Sequence, residues 1–276
     1  MLKKRTIPLV ISLLTLLFSS HASLSADLEL RKKQNENGAD KALEPYMLPR
    51  NHPLKGYLSI LFSTPNMFKS SSHFRKAGFH VIRGHRKLMV GGHPHVPDYL
   101  FKKFPNSMPQ AKQLENFLKR QKGAQVLRNY ILTHNYKYLV IPQKWLIKLP
   151  RSFSQGDKDR SYVLVVDNMD IHRDYNDPNG ICRQLYYNMS VEMLTELCTI
   201  LHAVGGCDAF PRNQPFTKEG KIAFVDTEHV GKMKGHFLKH IVPALNEELQ
   251  AYAIALWNKL EDEENERRVA KRSIDG

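Results

Sequence analysis

Hydrophobic and polar residues follow two different spacings along this chain, and the spacings predict where strands and helices lie. Short apolar runs bounded by glycine and proline predict strands at 79–83, 87–90, 99–104, 138–141 and 162–167. Apolar positions three and four residues apart predict helices at 109–132, 191–204 and 237–260. A further strand is predicted at 222–225. Five strands around one helix, followed by a mostly helical half, indicate an α+β fold.

The start of the chain has a pattern of its own. Lys3, Lys4 and Arg5 precede an apolar run at 7–18, and small and polar residues follow. This order predicts a secretory signal peptide at 1–26 and therefore export to the periplasm or out of the cell. The run, at roughly 12 residues, is shorter than the ~20 residues of a membrane-spanning helix. An uncleaved N-terminal anchor is the alternative.

The rest of the chain divides by composition. Residues 27–56 are polar and charged without a sustained apolar period, which predicts a linker or a loosely docked arm. Residues 57–167 contain the five predicted strands and the first long helix, and residues 168–276 contain most of the remaining helices. We therefore expect a small N-terminal lobe, a helical C-terminal lobe and a hinge near 166–169.

Charge and cysteine content narrow the choice of partners. The chain has 276 residues, with 41 Lys and Arg against 27 Asp and Glu, for a net charge of +14. Much of this charge lies within 102–151, which favours a phosphate-bearing ligand or an anionic surface and makes nucleic acid an unlikely partner. Cys182, Cys198 and Cys207 are too few for a disulfide framework, so the alternatives are one bridge or three buried thiols.

The segment 205–229, GGCDAFPRNQPFTKEGKIAFVDTEH, carries the candidate chemistry. Asp208 and Asn213 are five residues apart, and Asp226 follows a predicted strand thirteen residues later. Phosphoryl transfer to a hydroxyl uses such groups: one carboxylate accepts the proton, while an amide oxygen and a second carboxylate bind Mg²⁺. The alternative is that these side chains only cap turns and pair with backbone donors.

This segment resembles the catalytic loop of the protein-kinase-like superfamily, particularly its aminoglycoside and choline phosphotransferase branch. In that branch the loop reads roughly H-G-D-x-x-x-x-N and is followed, after a short hairpin, by a strand ending in D-F-E. The matching residues here are Asp208, Asn213, Asp226 and Glu228, with 218–221 as the hairpin turn.

The resemblance implies a two-lobed fold with a small five-stranded antiparallel N-lobe and a short helical C-lobe. It also implies Asp208 as the catalytic base and Arg212 as a neighbour of the transferred phosphate. Asn213 and Asp226 are the implied Mg²⁺ ligands, and ATP is the implied phosphoryl donor. Each of these roles is taken from the resemblance.

A strand lysine and a helix glutamate complete the implied nucleotide site. The candidates are Lys102 or Lys103, with Glu115 as the helix partner. Gly206 stands where the family pattern has histidine, and the phosphate-binding loop G-x-G-x-x-G is missing from the sequence.

Two functions are therefore open. The first is an exported, divergent Mg²⁺-ATP-dependent phosphotransferase acting on a hydroxyl acceptor, or a nucleotide-binding relic of one. The second is a non-catalytic secreted pseudokinase that binds a protein partner or an anionic membrane surface through a basic helix face. The residues assigned to that face and to its continuation are Lys112, Lys119, Arg120, Lys122, Arg128, Lys137, Lys144, Lys148 and Arg151.

Overall fold

A computed structural model describes the chain from residue 41 to 275, apart from 65–66, 85–87, 105–107, 150–161, 175–176 and 178. The chain divides after Met47 into two compact units. The described part of the first unit contains a 3₁₀ helix at Glu44–Tyr46. The predicted signal peptide at 1–26 and residues 27–40 of the predicted linker lie outside the described residues.

The second unit combines helices with two sheets. Its described α-helices are α1 (Leu58–Leu61), α2 (Ser71–Lys76), α3 (Gln110–Thr133), α4 (Ile181–Tyr187), α5 (Val191–Ala203) and α6 (Glu247–Asp275). Its described strands are β1 (His80–Gly84), β2 (Met89–His93), β3 (Val96–Lys103), β4 (Leu139–Val140), β5 (Lys144–Lys148), β6 (Tyr162–Asp167) and β7 (Ile222–Ala223). The expected α+β class, with a five-stranded antiparallel sheet, is confirmed.

The membership of the main sheet differs from the prediction. Its order is β1-β2-β3-β6-β5, and each neighbouring pair is antiparallel. The predicted strand at 138–141 forms β4, but β4 pairs in parallel with β7 in a separate two-stranded sheet. The fifth strand is β5, which the sequence pattern left unassigned because lysines at both of its ends obscure the apolar alternation.

An aromatic cluster covers one face of the main sheet. Phe74 of α2 stacks on Phe79, with ring centroids 4.1 Å apart, and Phe79 meets Phe101 of β3 edge to face. Gly91 makes this packing possible, because a Cβ there would lie 2.6 Å from the Phe74 ring. The glycine pair was expected to end the second strand at residue 90. Instead β2 continues through it to His93.

The helical half has its own core. Helices α5 and α6 pack against each other, and the C-terminal part of α3 joins their core through Leu127 and Ile131. Ser190 caps α5 by accepting a hydrogen bond from the Met193 amide at 3.2 Å, as the sequence predicts. All three cysteines are buried in this half and none forms a disulfide.

The predicted last helix is divided. Residues Phe237–Ile241 form a π-helix and Val242–Ala244 a 3₁₀ turn, before α6 begins at Glu247. Pro243 lacks an amide hydrogen and interrupts the backbone ladder. Asn246 then caps α6 by accepting a hydrogen bond from the Leu249 amide at 2.9 Å. No helix among the described residues is both long enough and apolar enough to cross a membrane.

Candidate active site

A cleft of 480 Å³ lies between the main sheet and the segment that carries the candidate motif. One part of its wall is apolar, and the other part is polar, with twice as many cationic side chains as carboxylates. The apolar lining comes from Ile82, Leu88, Val90, Leu100, Pro142, Val166, Met169, Ile171 and Val225. The polar lining comes from Lys102, Arg120, Asp167, Asn168, Arg173, Arg212, Asn213 and Asp226. Four of the predicted site residues therefore line one cleft.

A short hairpin brings the two predicted metal ligands together. The Val225 amide donates to the Asn213 carbonyl at 3.0 Å, so Asp226 follows directly beside Asn213. At the other end the Thr217 amide donates to the Lys221 carbonyl at 2.7 Å, and Gly220 adopts a φ of +80° within the turn. The hairpin turn expected at 218–221 is thus present.

Asp208 is connected to this pair through Asn213. The side-chain Nδ2 of Asn213 donates to the Asp208 backbone carbonyl at 2.8 Å and to the Asp208 carboxylate Oδ2 at 3.0 Å. Both hydrogen bonds use the nitrogen, so the Asn213 side-chain oxygen is directed away from Asp208. Asp208, Asn213 and Asp226 therefore form one connected group, although the described lining of the cleft contains only the last two.

His236 contacts the other oxygen of Asp208. Its Nδ1 lies 3.2 Å from Oδ1, and because a carboxylate only accepts, the ring nitrogen in this hydrogen bond carries the proton. A side chain at Gly206, where the motif that this segment resembles has histidine, would not fit, because the φ of Gly206 is +80° and a Cβ would lie 2.4 Å from the Lys234 Cα. Residue 206 therefore offers no side chain that could contact Asp208. His236, two residues beyond Lys234, makes that contact instead.

Arg120 of α3 holds the second carboxylate. Its Nη1 donates to Asp226 Oδ1 at 2.5 Å, and its Nη2 donates to Glu228. The Arg120 side chain is only 7% exposed. The sequence placed Arg120 on the basic outer face of the helix. The structure corrects this, because Arg120 follows Phe117 by three residues and shares its inward-facing stripe.

A glycine allows α3 to approach the Asp226 loop closely. A Cβ at Gly123 would lie 2.0 Å from the Thr227 carbonyl oxygen, so only glycine fits there. One turn earlier, the Thr227 hydroxyl donates to the Arg120 carbonyl at 2.5 Å. This contact between helix and loop sets the distance over which Arg120 reaches Asp226.

Two lysines add to the positive charge around Asp226. Lys102 Nζ donates to the Val225 carbonyl at 3.1 Å, and Lys144 Nζ donates to the Thr227 hydroxyl at 2.7 Å. Burial acts to raise the pKa of Asp226, but the charges of Arg120, Lys102 and Lys144 outweigh it and hold that pKa well below its ordinary value. Lys144 was also assigned to the exposed basic region. It is buried instead, and burial lowers its pKa strongly.

Lys102 and Lys103 point to opposite faces of β3, as neighbours in a strand do. Lys102 lines the cleft, whereas Lys103 is 1% exposed and donates to Gln113 Oε1 at 2.5 Å. The predicted pairing of Glu115 with either lysine is wrong. Glu115 lies on the exposed side of α3, where it pairs with Lys112 at 2.9 Å and Lys119 at 2.5 Å.

Aromatic rings surround the outer end of the site, next to Asp208. Arg212 lies over the ring of Phe210, with its guanidinium carbon 4.3 Å from the centroid. His240 stacks on the same ring with centroids 3.9 Å apart, and His236 meets both rings edge to face. Stacking on Phe210 orients Arg212, which lines the cleft.

The Asn213 and Asp226 side chains do not fit a divalent metal in this arrangement. Asp226 Oδ1 already accepts hydrogen bonds from Arg120 and, at 3.3 Å, from the Glu228 amide. Three cations act on that carboxylate, and they would repel a metal ion at the same oxygen. Arg120, rather than Mg²⁺, therefore neutralises Asp226 in this arrangement.

A separate charged cluster is more typical of metal ligands. Among the described residues, His202, Glu261 and Glu264 bring their ligand atoms within 4.8 Å of one another. Lys234 Nζ already lies 2.8 Å from Glu261 and 2.6 Å from Glu264. The ammonium group therefore supplies the positive charge that these carboxylates need.

Sequence reasoning missed Arg120, Lys144 and His236 as site residues. Arg120 carried a usable signal, since a basic residue within an apolar helix stripe needs a buried counterion. His236 carried none, because 28 residues separate it from Asp208 and the intervening segment has no recognisable spacing. A scan against protein-family models and a search of curated proteins found no match to this chain.

Proposed function

We propose that this chain is an exported, divergent kinase-like protein that binds a nucleotide in the cleft between two lobes. The observation that carries the proposal is the cleft, which combines apolar side chains with Lys102, Arg212, Asn213 and Asp226. Its volume of 480 Å³ is that of a small-molecule site. The apolar part suits a flat base, and the cationic part suits phosphates. The export component rests on the pattern of residues 1–26.

The surroundings of Asp208 support a phosphotransferase. In the proposed step, the Asp208 carboxylate accepts the proton of an acceptor hydroxyl. The hydroxyl oxygen forms a bond to the γ-phosphorus of ATP, the bond from that phosphorus to the β,γ-bridging oxygen breaks, and ADP leaves with the electron pair. Asn213 and His236 orient the carboxylate by contacting one oxygen each.

The ion pair of Arg120 with Asp226 favours a second candidate, a nucleotide-binding relic without transfer activity. Asp226 is one of the two residues that the resemblance assigns to the metal, and a buried arginine occupies it. Surface binding to a protein partner or a membrane has less support, because Arg120 and Lys144 are buried and Glu115 pairs with Lys112 and Lys119.

One set of measurements tests these candidates. ATP at millimolar concentration should raise the melting temperature of the wild-type chain. Lys102→Met should weaken that shift, because Lys102 lines the cleft, whereas Lys122→Met, which removes an exposed charge from α3, should not. Lack of any shift with ATP would contradict nucleotide binding.

Asp208→Asn separates binding from chemistry. This variant should bind ATP as the wild type does, and any transfer of the γ-phosphate should fall by roughly 100-fold or more, because the acceptor loses its base. Transfer is followed as labelled phosphate moving from ATP to hydroxyl-bearing acceptors. ATP binding without transfer by the wild-type chain would favour the relic.

A further inference from the structure

Arg120, the buried arginine beside Asp226, is bound to the Asp226 loop by several contacts. Arg120 is not a surface cation that happens to lie near an acid. Its two Nη nitrogens engage two different carboxylates, and its backbone carbonyl accepts a hydrogen bond from Thr227 of the same loop. The arginine is therefore part of the loop's structure, and Asp226 has a resident counterion.

A divalent metal at Asp226 would compete with this counterion. A metal at Oδ1 would take the oxygen that Arg120 already contacts at 2.5 Å, and at either oxygen it would meet the positive charges of Arg120, Lys102 and Lys144. Separating Arg120 from Asp226 would leave a guanidinium group, only 7% exposed, without one of its two carboxylate partners. Such separation is strongly unfavourable.

The same side chains suit an anion. The described lining of the cleft contains four cationic side chains against two carboxylates. The cations are Lys102, Arg120, Arg173 and Arg212, and the carboxylates are Asp167 and Asp226. Arginine binds phosphate through paired N–H donors, and lysine binds it as a point charge. The Nε of Arg120 is buried without a hydrogen-bond partner among the described residues, and an N–H donor suits an anionic oxygen rather than a metal.

We propose that the cleft binds the phosphates of its nucleotide directly through lysine and arginine side chains, without a bridging divalent cation. The proposal rests on the proposed nucleotide-binding function and specifies how that site recognises its ligand. Arg120 takes the position beside Asp226 that a metal ion would otherwise hold.

Calorimetric titration of the full chain with ATP tests the proposal, in buffer with excess EDTA and in buffer with excess MgCl₂. The Kd values should agree within about threefold, a difference below 1 kcal/mol. Binding that requires Mg²⁺ would overturn this proposal and leave the proposed function standing. Lack of binding in both buffers would overturn the proposed function itself.

Variants of Arg120 make the test specific. Arg120→Met frees Asp226 for a metal, so its affinity for ATP should become at least about tenfold higher with Mg²⁺ than with EDTA. Lys122→Met removes an exposed charge two residues away and should bind ATP equally in both buffers. An Arg120→Met variant as indifferent to Mg²⁺ as the wild type would overturn the role given to Arg120.

The tests do not depend on one variant. Circular dichroism first establishes whether Arg120→Met is folded. If it is not, Arg120→Lys replaces it, because a single ammonium group cannot engage Asp226 and Glu228 as the guanidinium does. This variant should show a Mg²⁺ preference of the same sign, and its absence would again count against the proposal.

Discussion

Asp226 and Asp208 belong to one motif, but their surroundings are opposite in character. The two side chains are similarly exposed, at 29% for Asp226 and 27% for Asp208. Asp226 is surrounded by Arg120, Lys102 and Lys144, whereas Asp208 contacts neutral Asn213 and His236.

This difference separates two roles that residue type alone does not distinguish. A carboxylate held by buried cations stays ionised and fixed in place, which suits an anchor for the helix and the loop. The surroundings of Asp208, an amide and an imidazole, are those expected of the base in the proposed transfer step. The electrostatic environment, rather than exposure, therefore makes Asp208 the better candidate for a base.

The largest effect is expected from breaking the ion pair on the Asp226 side. Arg120→Met should lower the free energy of unfolding by about 3 kcal/mol, because Asp226 and Glu228 lose a buried partner. Urea denaturation measures this loss. Lys122→Met is the control and should change stability by less than about 0.5 kcal/mol. Equal losses in the two variants would mean that the buried pair contributes no more than a surface charge.

A backbone contact on the same side gives the next prediction. Gly123→Ala should destabilise the protein by about 2 kcal/mol, because the new methyl group collides with the Thr227 carbonyl. Gly235→Ala is the matched control, since a Cβ at that position would have no atom within 4 Å. Thermal unfolding of the two variants measures the difference. Similar melting temperatures would show that the helix and the loop are not in close contact.

The buried amine of Lys103 should make the free energy of unfolding depend on pH. Burial lowers its pKa to about 8, compared with 10.5 ordinarily. Between these values the unfolded chain retains a proton that the folded chain has released, so the contribution of Lys103 to stability rises with pH. Lys103→Met should be more stable than the wild type by about 2 kcal/mol at pH 7.

The readout for Lys103 is the difference in unfolding free energy between variant and wild type. This difference should shrink as the pH increases from 8 towards 10.5. The buried thiols are the same in both proteins, so their contributions cancel, including that of Cys198, whose pKa burial raises to about 12. A difference that does not change with pH would contradict a buried, perturbed amine.

The smallest stability effect is expected on the Asp208 side. His236→Ala removes a partly exposed partner of Asp208 and should change the free energy of unfolding by about 0.5 kcal/mol or less. Denaturation under the same conditions as for Arg120→Met allows a direct comparison. A loss as large as that of Arg120→Met would remove the contrast between the two carboxylates.

Local patterns predicted the elements better than their pairing. The strand at 162–167 and the helix starting at Val191 lie where the sequence places them, because their apolar spacing is uninterrupted. The strand at 138–141 also forms, but its partner β7 is about eighty residues away, and no local pattern specifies that pairing. Strand β5 was missed because Lys144 at its start is buried through contacts with distant parts of the chain, which the local sequence does not reveal.

The candidate site was also predicted only in part, because local spacing does not reveal contacts between distant segments of the chain. Motif spacing found Asp208, Asn213 and Asp226, which the hairpin holds together. It assigned Glu115 the wrong partner, because an exposed glutamate with lysines three and four residues away pairs within its own helix. Arg120 and His236 reach the site from other elements, so only the folded chain reveals their contacts.

The close approach at Gly123 has a mechanical consequence. The helix and the loop touch at backbone level, and the Arg120 ion pairs and the Thr227 hydrogen bond fasten them again one turn away. Sliding or rotation of α3 would have to break all of these contacts together. Several contacts at once therefore oppose any movement of helix α3 relative to the Asp226 loop.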